Sequence, residues 1–523
     1  MVLDLHDGMG SKGSPLGGVQ GQSPWWGSGG KAPLAVTDES SLPMITHLLV
    51  SAETSLHEVL NKINGNGLGI AIVIDDDKRL AGMVTDGDVR RGLLEGATLG
   101  DSVSGIMTRE CVSLPVSADR VTIMNCLDDP RIALIPLLDD DRRPVDFASL
   151  RRLHSIPVAE PNLAGNELDY VTACLRDNWI SSQGPFVRRF ESEFARYLGV
   201  PQALSTCNGT AALHLALTAL GIGPGDEVIV PDLTFAASIN AILYCGATPV
   251  LVDVDRLTWN IDPDEARLAI SPRTRAIMVV HLYGQAAEMG ALAELARTHG
   301  LSLIEDAAEA LGATYQGQPI GTFGDAAAFS FFGNKLITTG EGGMLVMRDP
   351  EAAARARILR DHGMAPERRY WHNMIGYNYR LTNLQAAIGV AQLERIDQFI
   401  ARKLELAAHY SRHLSEIPEL VLPVTRAGSR NVYWIYSVIV DGDKFPVTRE
   451  LLMDKLRLVG IETRFLFYPL HHMPCYTRYG AGRQFPNTEW LSKSGISLPS
   501  SVNITVNEVN YICKEIHRAL IAP

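Results

Sequence analysis

The stretch RAIMVVHLYGQAAEMGALAELARTHGLSLIEDAAEA, Arg275–Ala310, decides the fold. Two short apolar runs, "AIMVV" and "LSLI", flank "ALAELARTHG", whose apolar residues recur at helical spacing. Neither run alternates with polar residues, so both read as strands covered on two faces, which is the signature of a parallel sheet with helical crossovers. The same alternation continues upstream in "TAALHLALTAL", "EVIVP" and "TPVLVDVD". A large α/β domain is therefore expected over residues 156–395. From about Asp397 the texture changes to "NVYWIYSVIV", "RELLMDKLRLVG" and "IETRFLFYPLH", which predicts a smaller C-terminal α+β lobe, 396–523. The glycines of "GIGPGDEVIVP" follow a helix and precede a strand, the reverse of a dinucleotide-binding turn, so they read as a turn only.

The 523 residues are too many for one core. The formal charge of −12 argues against a general nucleic-acid binder. Seven cysteines are scattered without a CxxC pair or a His/Cys cluster at zinc spacing, so reduced thiols of a cytoplasmic protein and no metal site are expected. No run of 18 apolar residues predicts a membrane span. Residues 1–42 are rich in Gly and Ser and have no apolar signal-peptide core; a disordered extension is expected there, with Trp25 and Trp26 its only unusual feature.

Residues 43–155 carry two similar halves. In the first, "IAIVID" and "LAGMVT" read as strands and "SLHEVLNKI" and "GDVRRGLL" as helices; the second, from "CVSLPVS" to "DFASLRRL", repeats the order. This doubled β-α-β-β-α unit resembles a CBS-domain pair, chiefly through "GMVTDGDVRR". The resemblance implies a purine-nucleotide site in the first half, including Thr85 and Asp88, with Asp146 and Ser149 at the corresponding places of the second. A structural module is the alternative. "SIPVAEPNLAGNE" reads as the linker that follows.

A second stretch, "FSFFGNKLITTGEGGM" (Phe329–Met344), sets one amine, Lys335, among aromatic rings and glycines. Asn208-Gly209-Thr210 opens a helix, where free N–H groups and the positive dipole end favour an anion. Asp306 ends a buried strand run, where a carboxylate needs a partner. Phe235 follows another strand and is available for stacking, and Ser330 precedes Lys335 by five residues. An anion-binding helix start, a stacking ring, a buried carboxylate and a lysine in apolar surroundings are together what pyridoxal phosphate requires.

These motifs, with "NGTAALHLAL", "IEDAAEALGA" and "GYNYRLTNLQAAIG", identify residues 155–523 as similar to the DegT/DnrJ/EryC1/StrS sugar aminotransferases of fold-type I. The resemblance implies that Lys335 is the Schiff-base lysine and proton shuttle and that Asp306 pairs with the pyridinium nitrogen. It places Glu309 beside the ring hydroxyl, Phe235 on the ring, and Gly209, Thr210 and Ser330 on the phosphate. Asn378 would reach the phosphate from a neighbouring subunit, which makes the active unit at least a homodimer. Trp179, Ser181 and Ser182 match a loop near the substrate, with a buried core ring as the alternative for Trp179. Arg368, Arg369 and Arg464 are candidates for pyrophosphate contacts. The implied reaction moves the amino group of L-glutamate to C4 of a nucleotide-linked 4-keto-6-deoxyhexose, with GDP-4-keto-6-deoxymannose expected and a UDP- or dTDP-linked sugar as the alternative. Lys335 argues against a dehydratase on the same fold, where the lysine is replaced. An intact cofactor set argues against a catalytically silent regulator.

Overall fold

The computed structural model describes residues 45–521 apart from 47, 67, 130, 151–154 and 443–446. The expected N-terminal extension, with Trp25 and Trp26, lies outside them. Seven strands form the large sheet: β1 (Ala203–Thr206), β2 (Glu227–Pro231), β3 (Thr248–Val252), β4 (Thr274–Val280), β5 (Ser302–Asp306), β6 (Ala326–Ser330) and β7 (Gly343–Met347). Their order is β1-β7-β6-β5-β4-β2-β3. All neighbours are parallel except β7, which runs antiparallel to β1 and β6. The stretch Arg275–Ala310 thus folds as read, with helix Met289–His299 crossing between β4 and β5.

The absence of polar alternation has a direct structural counterpart. Ile277 and Val279 enter one core together with Leu303, Ala327 and Phe329. Their neighbours Ala276 and Met278 enter a second core, on the other side of the sheet, with Val228, Ile304 and Ala328. Helices α1 (Gly209–Ala219) and α2 (Ala236–Tyr244) cover that second face. Helix α3 (Ile396–Leu414) joins two lobes: Ile396, Phe399 and Ile400 pack in the first core, whereas Leu406, Ala407, Tyr410 and Leu414 pack in the C-terminal one. The C-terminal lobe carries a four-stranded sheet of Leu420–Val421, Ser437–Val440, Gly495–Ser497 and Arg464–Phe465, in that order.

The N-terminal module is a repeat. Strands Leu49–Ser51, Ile70–Ile74 and Leu80–Thr85 form one sheet; Leu114–Pro115, Ile135–Leu138 and Pro144–Ala148 form another with the same parallel-then-antiparallel pairing. Lys78 and Arg142 occupy the same left-handed position of matching hairpin turns (φ 61° and 64°). This register corrects one expectation. Counted from those turns, Thr85 corresponds to Ser149, Gly82 to Asp146, and Asp88 to Arg152, which lies outside the described residues. Asp146 and Ser149 share the three-residue spacing of Thr85 and Asp88, but hairpin pairing, not spacing, sets which positions correspond. The second half therefore keeps a hydroxyl and changes at the carboxylate.

The expected linker is more firmly held than its prolines suggest. Ile156 pairs with Ile461, and the Val158 amide donates to Glu462 Oε2 at 3.0 Å. Val158 is fully buried, because apolar side chains in this segment find a core. Leu458, at the end of helix Arg449–Leu458, packs in a cluster with Ile72, Met83, Leu134 and Phe147 and so joins the module to the C-terminal lobe. Among the described residues no helix is long and apolar enough to cross a membrane.

Candidate active site

The strand alternation of β6 explains why a lysine sits among aromatic rings. Phe329 and Phe331 point into the core, against Phe194 at 5.1 and 5.8 Å between ring centroids. Ser330, between them, points the other way, to the start of α1. A Cβ added at Gly209 would lie 3.0 Å from Ser330 Cβ, so the two backbones approach as closely as a glycine allows. Asn208 caps α1 by accepting the Ala211 amide at 2.8 Å. This is a glycine-floored cradle at a helix N-terminus with one hydroxyl on its rim, suited to a phosphate.

After β6 the chain turns, and the Lys335 amide donates to Phe332 O. The Lys335 amine lies 3.6 Å from Glu309 Oε1 and 3.8 Å above the Trp434 ring. Burial lowers its pKa, and the Glu309 and Asp306 carboxylates partly oppose that shift. Burial pushes Glu309 up to about 7, with Lys335 and the Tyr283 amide pulling it back. The amine and its partner thus sit closer to each other in proton affinity than a surface pair would, as proton transfer near neutrality requires.

Asp306, at the end of β5, is separated from its acidic neighbour by strand alternation. Glu305 points away and is saturated: it accepts the Gly321, Phe323 and Gly324 amides at 2.7–2.8 Å and pairs with His281 at 3.1 Å. Asp306 faces the pocket, accepting the Ser238 hydroxyl at 2.7 Å and the Ala308 amide at 3.2 Å. Burial raises its pKa, and Ser238 and Lys335 lower it. A cationic ring nitrogen beside it would keep the carboxylate ionised.

Several residues that complete this pocket were not singled out in the sequence. Ser238, on α2, is held by Thr234 at 2.9 Å. Tyr283 has a left-handed backbone (φ 51°) and gives its amide to Glu309 Oε2 at 2.9 Å. Strain of this kind costs on the order of 1–3 kcal/mol and collects at functional sites. The Tyr283 ring stacks between Trp434 (5.9 Å) and Phe467 (5.4 Å), and Phe467 reaches Phe235 at 5.8 Å. Trp434 is fixed at both ends: its indole donates to Asn334 O at 2.8 Å, and its carbonyl accepts from Lys403 Nζ at 2.7 Å. Lys403, buried on α3, also donates to Ser500 O. For Trp434 and Phe467 the advance sign is the aromatic density of "NVYWIYSVIV" and "FLFYP".

The remaining candidates fall at varying distances from this constellation. Phe235, which caps α2, is 52% exposed and offers an open ring face. Thr210 opens α1 beside Gly209. Trp179 is 49% exposed, which rules out the core-ring reading. Its carbonyl and that of Ser181 are anchored by Asn383, and Ser182 follows in the same exposed turn. Asn378 is exposed and holds Arg380, so within one chain it touches none of the pocket residues named above. Arg368 and Arg369 lie over Trp371 and Tyr370 at an exposed segment. Arg464 pairs with Glu462 at 3.0 Å. In the module, Thr85 and Asp88 form a capping box, with Thr85 Oγ1 donating to Asp88 Oδ2 at 2.7 Å.

The cradle at Gly209, the Asp306 carboxylate and the buried, pKa-lowered Lys335 fit pyridoxal phosphate in charge and shape. Comparison with known proteins agrees. Residues 161–517 match the family model described as the DegT/DnrJ/EryC1/StrS aminotransferase family, and residues 40–95 match a CBS domain. GDP-perosamine synthase of Caulobacter vibrioides is 48% identical over 71% of this chain and 99% of its own length. The GDP-perosamine synthase of Escherichia coli O157:H7 is 47% identical over 69% of this chain and 98% of its own. Among solved structures, S. venezuelae DesV superposes with a TM-score of 0.64 at 37% identity, covering 68% of this chain and 94% of that one. Helicobacter pylori PseC, an aminotransferase of pseudoaminic acid biosynthesis, gives a TM-score of 0.67 at 27% identity, over 71% of this chain and all of its own.

Proposed function

Because the chain belongs to the DegT/DnrJ/EryC1/StrS aminotransferase family and is a pyridoxal-phosphate-dependent sugar aminotransferase, we propose that it moves the amino group of L-glutamate to C4 of GDP-4-keto-6-deoxymannose, making GDP-perosamine for a surface polysaccharide in the cytoplasm. The substrate reading rests on the GDP-perosamine synthases, which match at 45–48% identity over nearly their whole length. The observation that carries the reaction is the Lys335 amine, buried between Glu309 and the Trp434 ring.

When bound, the cofactor supplies an electron sink for the substrate carbon. The protein's part is binding and proton control. Gly209, Thr210 and Ser330 would hold the phosphate. Phe235 would stack on the ring, and Asp306, oriented by Ser238, would keep the ring nitrogen protonated. Lys335, with its lowered pKa, releases and recovers a proton at the reacting carbon, and Glu309 holds the amine in reach. Trp179, Ser181, Ser182, Arg368, Arg369 and Arg464 are assigned to the sugar nucleotide. Asn378 is assigned to the phosphate of a partner subunit in a homodimer. Residues 156–523 are assigned as the catalytic part, and the module as a purine-nucleotide site that includes Thr85 and Asp88.

Purified protein with glutamate and a panel of GDP-, UDP- and dTDP-linked 4-keto-6-deoxy sugars tests the substrate. Amination of the GDP sugar at the highest kcat/KM is expected, and preference for another base overturns it. Calorimetry with AMP, ATP, GDP and GTP on the wild type and on Asp88→Ala tests the module. Heat that disappears in the variant is expected, and no heat, or equal heat in both, removes the nucleotide reading.

A further inference from the structure

His471, His472 and Glu489 converge on the outside of the large sheet. Each offers one ligand atom, and the three atoms lie within 4.8 Å of one another. The His471 Nε2 to Glu489 Oε1 distance is 3.4 Å, and His472 Nε2 to the same oxygen is 4.0 Å. An imidazolium–carboxylate hydrogen bond would close to about 2.7–2.9 Å, so neither separation is a made bond. In a tetrahedral site with metal–ligand lengths near 2.1 Å, neighbouring ligand atoms stand roughly 3.4 Å apart. The first separation already has that value; the second is 4.0 Å and no pair exceeds 4.8 Å, so an ion would draw in the exposed His472 side chain to complete the set.

The scaffold around the three is built in the manner of a metal site. His471 Nδ1 is held by Asp232 at 2.7 Å, which directs Nε2 outward. Asp232 also accepts the His471 amide at 2.9 Å, and its own carbonyl accepts that of Leu470. Phe485 stacks on the His471 ring at 4.5 Å. Glu489 stands on helix Pro486–Ser494, whose first turn is tied to Asp253 by the Asn487 and Thr488 amides, both at 2.9 Å. Asp232 and Asp253 directly follow β2 and β3, which are neighbours in the sheet, so both ligand-bearing segments rest on one rigid base.

We propose that His471, His472 and Glu489 bind one divalent cation that favours imidazole and carboxylate ligands, with zinc as the chemical type and a fourth position open to solvent. Two imidazoles select against magnesium and calcium, which take oxygen ligands. The ion would fasten the Leu470–His472 segment and helix Pro486–Ser494 together at the end of β2, through Asp232, which stands two and three residues before Thr234 and Phe235.

Chelator-treated holoenzyme titrated calorimetrically with Zn2+ should bind one equivalent per chain, and Co2+ in its place should give the visible absorption of a tetrahedral site. His472→Ala and Glu489→Gln should each weaken Zn2+ at least tenfold, leave the rate of the glutamate half-reaction unchanged, and abolish the Co2+ band; Mg2+ should give no heat. Absence of saturable Zn2+ binding overturns the proposal. So does binding of equal affinity in the wild type and both variants, because the ion would then sit elsewhere.

Discussion

A hydroxyl paired with a carboxylate beside a helix start occurs in both the N-terminal module and the active site, and the two regions use the pair in opposite ways. In the module, Thr85 and Asp88 are three residues apart and close on each other: the Thr85 amide and hydroxyl both reach Asp88 Oδ2, and the Asp88 amide returns to Thr85. In the pocket, Ser238 and Asp306 come from different β-α units of the sheet, and their bond at 2.7 Å leaves the carboxylate raised in pKa by burial beside a lysine lowered by it. A locally satisfied pair stabilises a helix end. A pair assembled across the sheet, beside a buried amine and a left-handed Tyr283, holds a carboxylate whose ionised form burial disfavours.

The largest expected effect tests the pocket side. Lys335→Ala should cut turnover by more than about 10^4-fold, since nucleophile and proton carrier vanish together, while circular dichroism shows the fold intact. Asp306→Asn should retain cofactor but slow both half-reactions on the order of 10^2-fold. Ser238→Ala should slow them by roughly ten- to a hundredfold, corresponding to one hydrogen bond to a charged group of roughly 1.5–3 kcal/mol. Stopped-flow single turnovers with glutamate measure both.

Lys403 extends the comparison to a second buried amine, one bonded to carbonyls instead of carboxylates. Burial lowers its pKa from the ordinary 10.5 to about 7. Between those values the unfolded chain holds more protons than the folded one, so this group's contribution to stability rises with pH from about 7 toward 10.5 and is lost as pH falls through 7. Urea titrations at pH 7 and pH 9.5 should show wild type gaining stability relative to Lys403→Met at the higher pH. An equal difference at both values contradicts the assignment.

The module side should respond weakly. Deleting residues 1–154 should leave a folded enzyme of near-normal turnover, because Ile156 and Val158 remain paired with the C-terminal lobe and, among the described residues of that lobe's core clusters, Leu458 is the one that loses its cover. Thr85→Ala should cost about 1 kcal/mol locally and leave turnover unchanged, as thermal melts and steady-state assays would show.

Much of the sheet was legible because strands covered on both faces carry uninterrupted apolar runs, and Arg275–Ala310 contains two of them. The buried placement of Lys335 and Asp306 was legible because each breaks such a pattern locally. Ser238, Tyr283, Trp434 and Lys403 were not, because their meaning lies in contacts across the chain: Trp434 bonds Asn334 one hundred residues away. The Thr85 equivalence failed for a related reason. Residue spacing matched Asp146 and Ser149 to Thr85 and Asp88, whereas hairpin register, invisible in one strand's sequence, aligned Ser149 with Thr85.

Peptide mass mapping after borohydride reduction of the holoenzyme, with and without prior glutamate, tests the central claim most directly. The account predicts the cofactor mass on the peptide containing Lys335, lost when glutamate is added first, and no labelled peptide in Lys335→Ala. A cofactor attached to another lysine, or labelling of Lys335 that glutamate does not discharge, would contradict it.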